Sequence, residues 1–69
     1  MLDTPRKERF LRLTDVMERT GLSRSSIYLS ISQGNFPPNI NVGLRSVAWL
    51  ESEIDAWMQA RINQRGVEA

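Results

Sequence analysis

Apolar residues recur along this chain in two rhythms, and the changes of rhythm divide it. Between Thr14 and Gly34 the spacing is helical. Val16 and Thr20 stand four residues apart, and Ile27 and Ile31 repeat that interval further on. Between Asn39 and Trp49 apolar and polar residues alternate, the rhythm of a strand. From Leu50 onward the helical spacing returns, with Leu50, Ile54, Trp57, Met58 and Ile62 on one stripe.

Local signals supply the boundaries. Arg9–Leu13 alternates weakly and fits a short strand or an extended lead-in. Thr14 is a candidate N-cap, with Asp15 where the helix dipole favours a carboxylate, so a first helix is predicted over Asp15–Thr20. Gly21 can close it in the left-handed conformation. Ser23 is the next N-cap, and Leu22 with Ile27 has the spacing of a hydrophobic staple, so a second helix is predicted up to Gly34. Ile27 and Ile31 form its buried stripe, with Ser25, Tyr28, Leu29, Ser32 and Gln33 on the opposite side. Phe36-Pro37-Pro38 forbids helix. Asn39–Val42 and Arg45–Trp49 then predict a β-hairpin turning at Gly43-Leu44. Leu50–Arg65 is the longest helix, acidic at its start and basic at its end, as the macrodipole favours.

This order predicts one mainly helical domain with a small β-hairpin, a winged helix-turn-helix, over residues 9–65. Residues 1–8 and 66–69 read as tails, the first of them flexible. With 69 residues there is room for one core only, and a domain of that size hides about 60% of its unfolded surface. Cysteine and histidine are both absent, which removes disulfides and thiolate or imidazole metal sites. The longest apolar run, Val47–Leu50, falls far short of the ~20 residues that cross a bilayer. Met1–Glu8 has no apolar signal region. A cytoplasmic protein with no membrane partner is expected.

Net charge is only +1, but its distribution carries more information. No acid lies between Arg19 and Leu50, whereas Arg19, Arg24 and Arg45 do. Such a stretch can create local positive potential on a nearly neutral protein, or the three arginines are scatter; the charge pattern alone leaves both open.

A short helix beginning just after a tight turn can project its N-terminal end into a DNA major groove. The exposed serines, tyrosine, glutamine and arginine can bond phosphates or base edges. The competing reading is an ordinary packed pair of helices with solvated polar faces. Glu51 and Asp55, one turn apart, suggest acid–base chemistry only until their place at a helix N-terminus is noted. No catalytic residue and no metal or cofactor site is expected. Trp49 and Trp57 sit on apolar periodicities and read as core.

Several motifs in sequence strengthen the DNA reading. Phe10-Leu11-Arg12-Leu13 precedes Val16; Thr20-Gly21-Leu22-Ser23-Arg24-Ser25-Ser26-Ile27-Tyr28 follows, then Gly34-Asn35-Phe36-Pro37. The last motif runs from Gly43-Leu44-Arg45-Ser46 through Trp49 to Trp57. Together, over roughly residues 9–62, they resemble the AlpA family, which is similar to MerR-like DNA-binding domains and phage excisionases. The resemblance implies a winged helix-turn-helix regulator of a prophage or integrative element. It places the recognition helix over 23–33 in the major groove and the wing over 39–49 on the backbone.

Combined with the exposed-face reading, it makes Ser23, Arg24, Ser25, Ser26, Tyr28, Ser32, Gln33, Arg45 and Ser46 the candidate DNA-binding residues. Two departures stand out. Leu29 occupies a place where members often carry a basic residue, and Pro38-Asn39-Ile40-Asn41 lacks the cation that often follows Phe-Pro. Arg6, Lys7, Arg9 and Arg12 are candidates to supply the missing affinity. The expected partner is double-stranded DNA, with an integrase or RNA polymerase as protein partners, and the chain is expected to be monomeric or weakly self-associating on DNA. Transcriptional control, DNA bending as an excisionase, and a protein–protein adaptor that binds no DNA are the three roles this sequence allows.

Overall fold

A computed structural model describes residues 8–67, so Arg6, Lys7 and the rest of residues 1–7, with 68–69 of the second expected tail, lie outside the described residues. The elements are β1 (Phe10–Leu11), α1 (Leu13–Thr20), α2 (Arg24–Ser32), β2 (Ile40–Gly43), β3 (Ser46–Leu50) and α3 (Glu51–Val67).

The strands form one antiparallel sheet in the order β1-β3-β2. Sequence periodicity predicts a two-stranded hairpin. The third strand arises because Phe10 and Leu11 pair with Leu50 and Trp49 across the chain. The same pairing holds Leu50 in β3, where the helical spacing to Ile54 had placed it in the last helix. The hairpin pairs Ile40 with Ala48 and Asn41 with Val47, then slips by a bulge to bring Gly43 opposite Ser46. Its turn is Leu44-Arg45, one residue later than expected, and Arg45 takes the left-handed conformation at φ 64°. With its amide nitrogen turned inward, Asn41 donates to the carbonyls of both Gly43 and Ser46, at 2.8 and 3.0 Å, and braces that turn.

Helix α1 starts two residues before the predicted Asp15. Arg12 is the N-cap, and its backbone N–H donates to the Asp15 carboxylate at 3.1 Å. Asp15 therefore serves as the N3 acceptor, and Thr14 lies inside the helix. Gly21 closes α1 at φ 77°, donating to the Met17 carbonyl at 2.8 Å. Thr20 ties the turn together: its hydroxyl donates to the Val16 carbonyl and accepts from the Leu22 N–H. Ser23 caps α2 as expected, accepting from the Ser26 N–H at 3.1 Å. For α3, the Glu8 carboxylate accepts from both the backbone N–H and the hydroxyl of Ser52, at 3.2 and 2.7 Å. The last residue assigned to the N-terminal tail thus serves a helix start 44 residues away.

Leu11, Val16, Ile27, Phe36, Trp49 and Ile54 form the core, with Leu22, Ile31, Tyr28, Trp57 and Met58 packed around it. Both tryptophans satisfy their N–H groups on the loop after α2. Trp49 Nε1 donates to the Pro37 carbonyl at 3.0 Å and Trp57 Nε1 to the Asn35 carbonyl at 2.7 Å. Phe36 lies edge-on to Trp57, ring centres 4.8 Å apart. Trp57 is only half-buried, and the apolar stripe of α3 stops being core after Met58. Ile62, expected on that stripe, is 49% exposed, because the core cluster extends no further along α3.

Candidate nucleic-acid interface

Helix α2 follows α1 across the three-residue turn Gly21–Ser23, the spacing of a helix-turn-helix. Its buried side is Ile27, with Ile31 half-buried beside it. Arg24, Ser25, Ser26, Leu29, Ser32 and Gln33 are all exposed.

One cleft joins this helix to the hairpin. It is lined by Arg12, Leu13 and Thr14 at the start of α1, Arg24 and Tyr28 on α2, and Arg45 and Val47 on the hairpin. Three arginines, from the start of α1, from α2 and from the hairpin turn, therefore line one concave surface. Among the described residues, no carboxylate forms an ion pair with any of the three. Arg24 lies over the Tyr28 ring, 5.9 Å from its centre. Tyr28 in turn packs edge-on against Trp49 at 6.2 Å, so the core positions Tyr28 and Tyr28 positions Arg24. Tyr28 was placed on the side opposite the core; it is half-buried, because it flanks the Ile27–Ile31 stripe closely enough to reach Trp49.

Arg19 behaves differently. Its guanidinium donates to Glu51 Oε2 at 2.9 Å and to Asp55 Oδ1 through its other nitrogen. The sequence reading counted Arg19 with Arg24 and Arg45 in an acid-free stretch, but folding brings two carboxylates of α3 to it. Arg9 also approaches Glu51, at 3.7 Å. The positive surface thus loses Arg19 and gains Arg12, which sequence reasoning had named only among the N-terminal cations. Its signal, an arginine immediately before a helix start, says nothing about which other element it will face.

The candidate residues do not form one cluster. Arg24, Tyr28 and Arg45 share the cleft. Ser23, Ser25, Ser26, Ser32, Gln33 and Ser46 lie outside it. The Ser23 hydroxyl is occupied by capping, since it also donates to Ser26 Oγ at 3.0 Å. Ser32 turns its hydroxyl back to the Leu29 carbonyl at 2.7 Å. Ser25 and Gln33 stay on the exposed face, and Ser46 is half-buried at the base of the turn. Among the described residues there is no cluster of three metal-ligating side chains, and no helix is long and apolar enough to cross a membrane.

Residues 9–62 match the family model described as prophage CP4-57 regulatory protein (AlpA). The chain is 52% identical over 65 residues to the uncharacterized protein ORF88 of Enterobacteria phage P4, covering 91% of this chain and 74% of that one. It is 37% identical over 59 residues to the DNA-binding transcriptional activator AlpA of Escherichia coli (strain K12), covering 77% of this chain and 84% of the relative.

Proposed function

The chain belongs to the AlpA family of prophage regulatory proteins, and from that premise we propose that it is a sequence-specific DNA-binding regulator of transcription in a prophage or integrative element. The observation that carries this reading is the convergence of Arg12, Arg24 and Arg45 on one cleft while Arg19 is neutralised elsewhere. In this reading α2 enters the major groove and its exposed stripe meets the base edges. Arg24, at the first turn of α2, contacts guanine or an adjacent phosphate. Arg45 and Ser46 on the wing, with Arg12, contact the sugar–phosphate backbone and fix the register of the helix. The protein acts by occupying its site in the cytoplasm, needs no cofactor, and hands its signal to RNA polymerase.

Simple occupancy is favoured over an excisionase role on energetic grounds. Bending 20–30 base pairs by 40–90° costs on the order of 1–6 kcal/mol. Three clustered arginines offer little to offset that, and the apolar residues of α3 up to Met58 are committed to the core.

Anisotropy or gel-shift titration against duplexes from the protein's own genomic neighbourhood tests the proposal. Affinity should fall with salt at a log–log slope of about −0.9 per neutralised phosphate, or about −3 if each cleft arginine takes one. Absence of saturable binding to any duplex at low salt would overturn DNA recognition and favour the adaptor role.

A further inference from the structure

Helix α2 carries its least polar exposed residue at the centre of its outward face. At about 100° per residue, Ser25, Leu29 and Ser32 fall within about 60° of one another. Leu29 stands about 180° from the midpoint of Ile27 and Ile31, which face the core. Leu29 is accordingly 58% exposed, one of five large apolar residues left in solvent among the described residues. Its neighbours on that face, Ser25, Ser26, Ser32 and Gln33, are all uncharged. Ser32 spends its hydroxyl on the Leu29 carbonyl, which leaves the apex more apolar still. Arg24 lies about 140° round α2 from Leu29, towards the cleft it shares with Arg12 and Arg45.

An apolar apex ringed by uncharged polar residues suits one feature of the major groove. Thymine alone among the four unmodified bases presents a methyl group there, and apolar side chains read it by contact. We propose that Leu29 reads the 5-methyl group of a thymine in the recognised site, an inference that rests on the DNA-binding reading above. The leucine excludes water from the methyl group, while Ser25, Ser26 and Gln33 bond the flanking base edges. Specificity at this position comes from apolar contact, so it is insensitive to salt.

The test uses a duplex that the purified full chain selects from a random-sequence pool. Each thymine is replaced singly by deoxyuridine, which removes only the methyl group. At one or two positions the wild-type protein should bind about fourfold more weakly, the effect of losing one buried methyl. Leu29→Ala should bind the thymine and deoxyuridine forms of those positions alike. Leu29→Met, which keeps an apolar side chain of similar reach, should retain the response. Circular dichroism melts should match wild type for both variants, since the side chain is exposed. If no thymine responds, or if the response survives in Leu29→Ala, the assignment is overturned while DNA binding itself stands. If no duplex can be selected at all, the DNA-binding reading fails first and takes this inference with it.

Discussion

Arg19→Ala separates the arginines that hold the domain together from those assigned to DNA. Arg19 is about one-third exposed and grips Glu51 and Asp55, whose side chains are 14% and 24% exposed. Exposed ion pairs contribute roughly 0.2–1 kcal/mol each. Two pairs on one guanidinium, with both partners mostly shielded, belong at the upper end of that range. Removing Arg19 also lessens the compensation of two carboxylates one turn apart on α3, a like-charge pair worth a few tenths of a kcal/mol. Together these give a loss of about 1–2 kcal/mol. For a domain of this size each kcal/mol corresponds to about 4–8 °C in Tm, so a fall of roughly 5–15 °C is expected. The fall should shrink at high salt, where the lost pairs are already screened. Titration with DNA below the variant's Tm should give an unchanged salt slope, because Arg19 neutralises no phosphate. Arg19→Lys should lie between, keeping the charge but losing the fork. A variant that melts like wild type but loses about 0.9 from its salt slope would refute the assignment.

The cleft arginines should behave in the opposite way. Arg24→Ala should cost roughly 1–3 kcal/mol of discrimination between the selected site and scrambled DNA if it contacts guanine, whereas Arg45→Ala should weaken both duplexes equally, as competition titrations will read. Within α3, Ile54→Ala should cost about 2–5 kcal/mol, because Ile54 is fully buried. Ile62→Ala should cost about 1 kcal/mol or less, since that side chain already meets water. Equal Tm losses for the two isoleucine variants would mean that the packed stripe runs the length of the helix.

Sequence pattern reaches what short-range chemistry controls. Gly21 and Ser23 define the turn between α1 and α2 because the left-handed closure and the hydroxyl cap are each settled within a few residues. It fails where a distant partner decides. Leu50 fits the helical spacing to Ile54, but pairing with Phe10, forty residues earlier in the chain, keeps it extended. Arg19 looks unopposed in a linear charge count because its partners lie 32 and 36 residues away. Ile62 continues the apolar rhythm past the point where there is core to meet. The turn was misplaced by one residue because glycine is the usual sign of a left-handed position; here Arg45 takes that conformation beside the bulge between Asn41 and Gly43. The candidate site divides along the same line. That α2 would expose serines follows from local periodicity, and that Arg24 would be exposed follows from its place in the first turn of the helix. That Arg12 would join Arg24 and Arg45 follows only from the docking of α1 and the hairpin.

A chain of net charge +1 has little positive charge to distribute, and the fold concentrates what it has. The carboxylates at the start of α3 face its dipole, Arg19 and Arg9, and among the described residues none pairs with a cleft arginine. The exposed face of α2 beyond Arg24 carries no charge. On the proposed DNA-binding reading, salt-dependent affinity belongs to the cleft, and the neutral face of α2 adds groove contacts that salt does not screen. Raising the ionic strength should strip nonspecific and specific complexes of nearly the same electrostatic energy while leaving the difference between them intact. A small regulator built this way gains discrimination from groove contacts without adding cations, and added cations would tighten its grip on every other sequence as well.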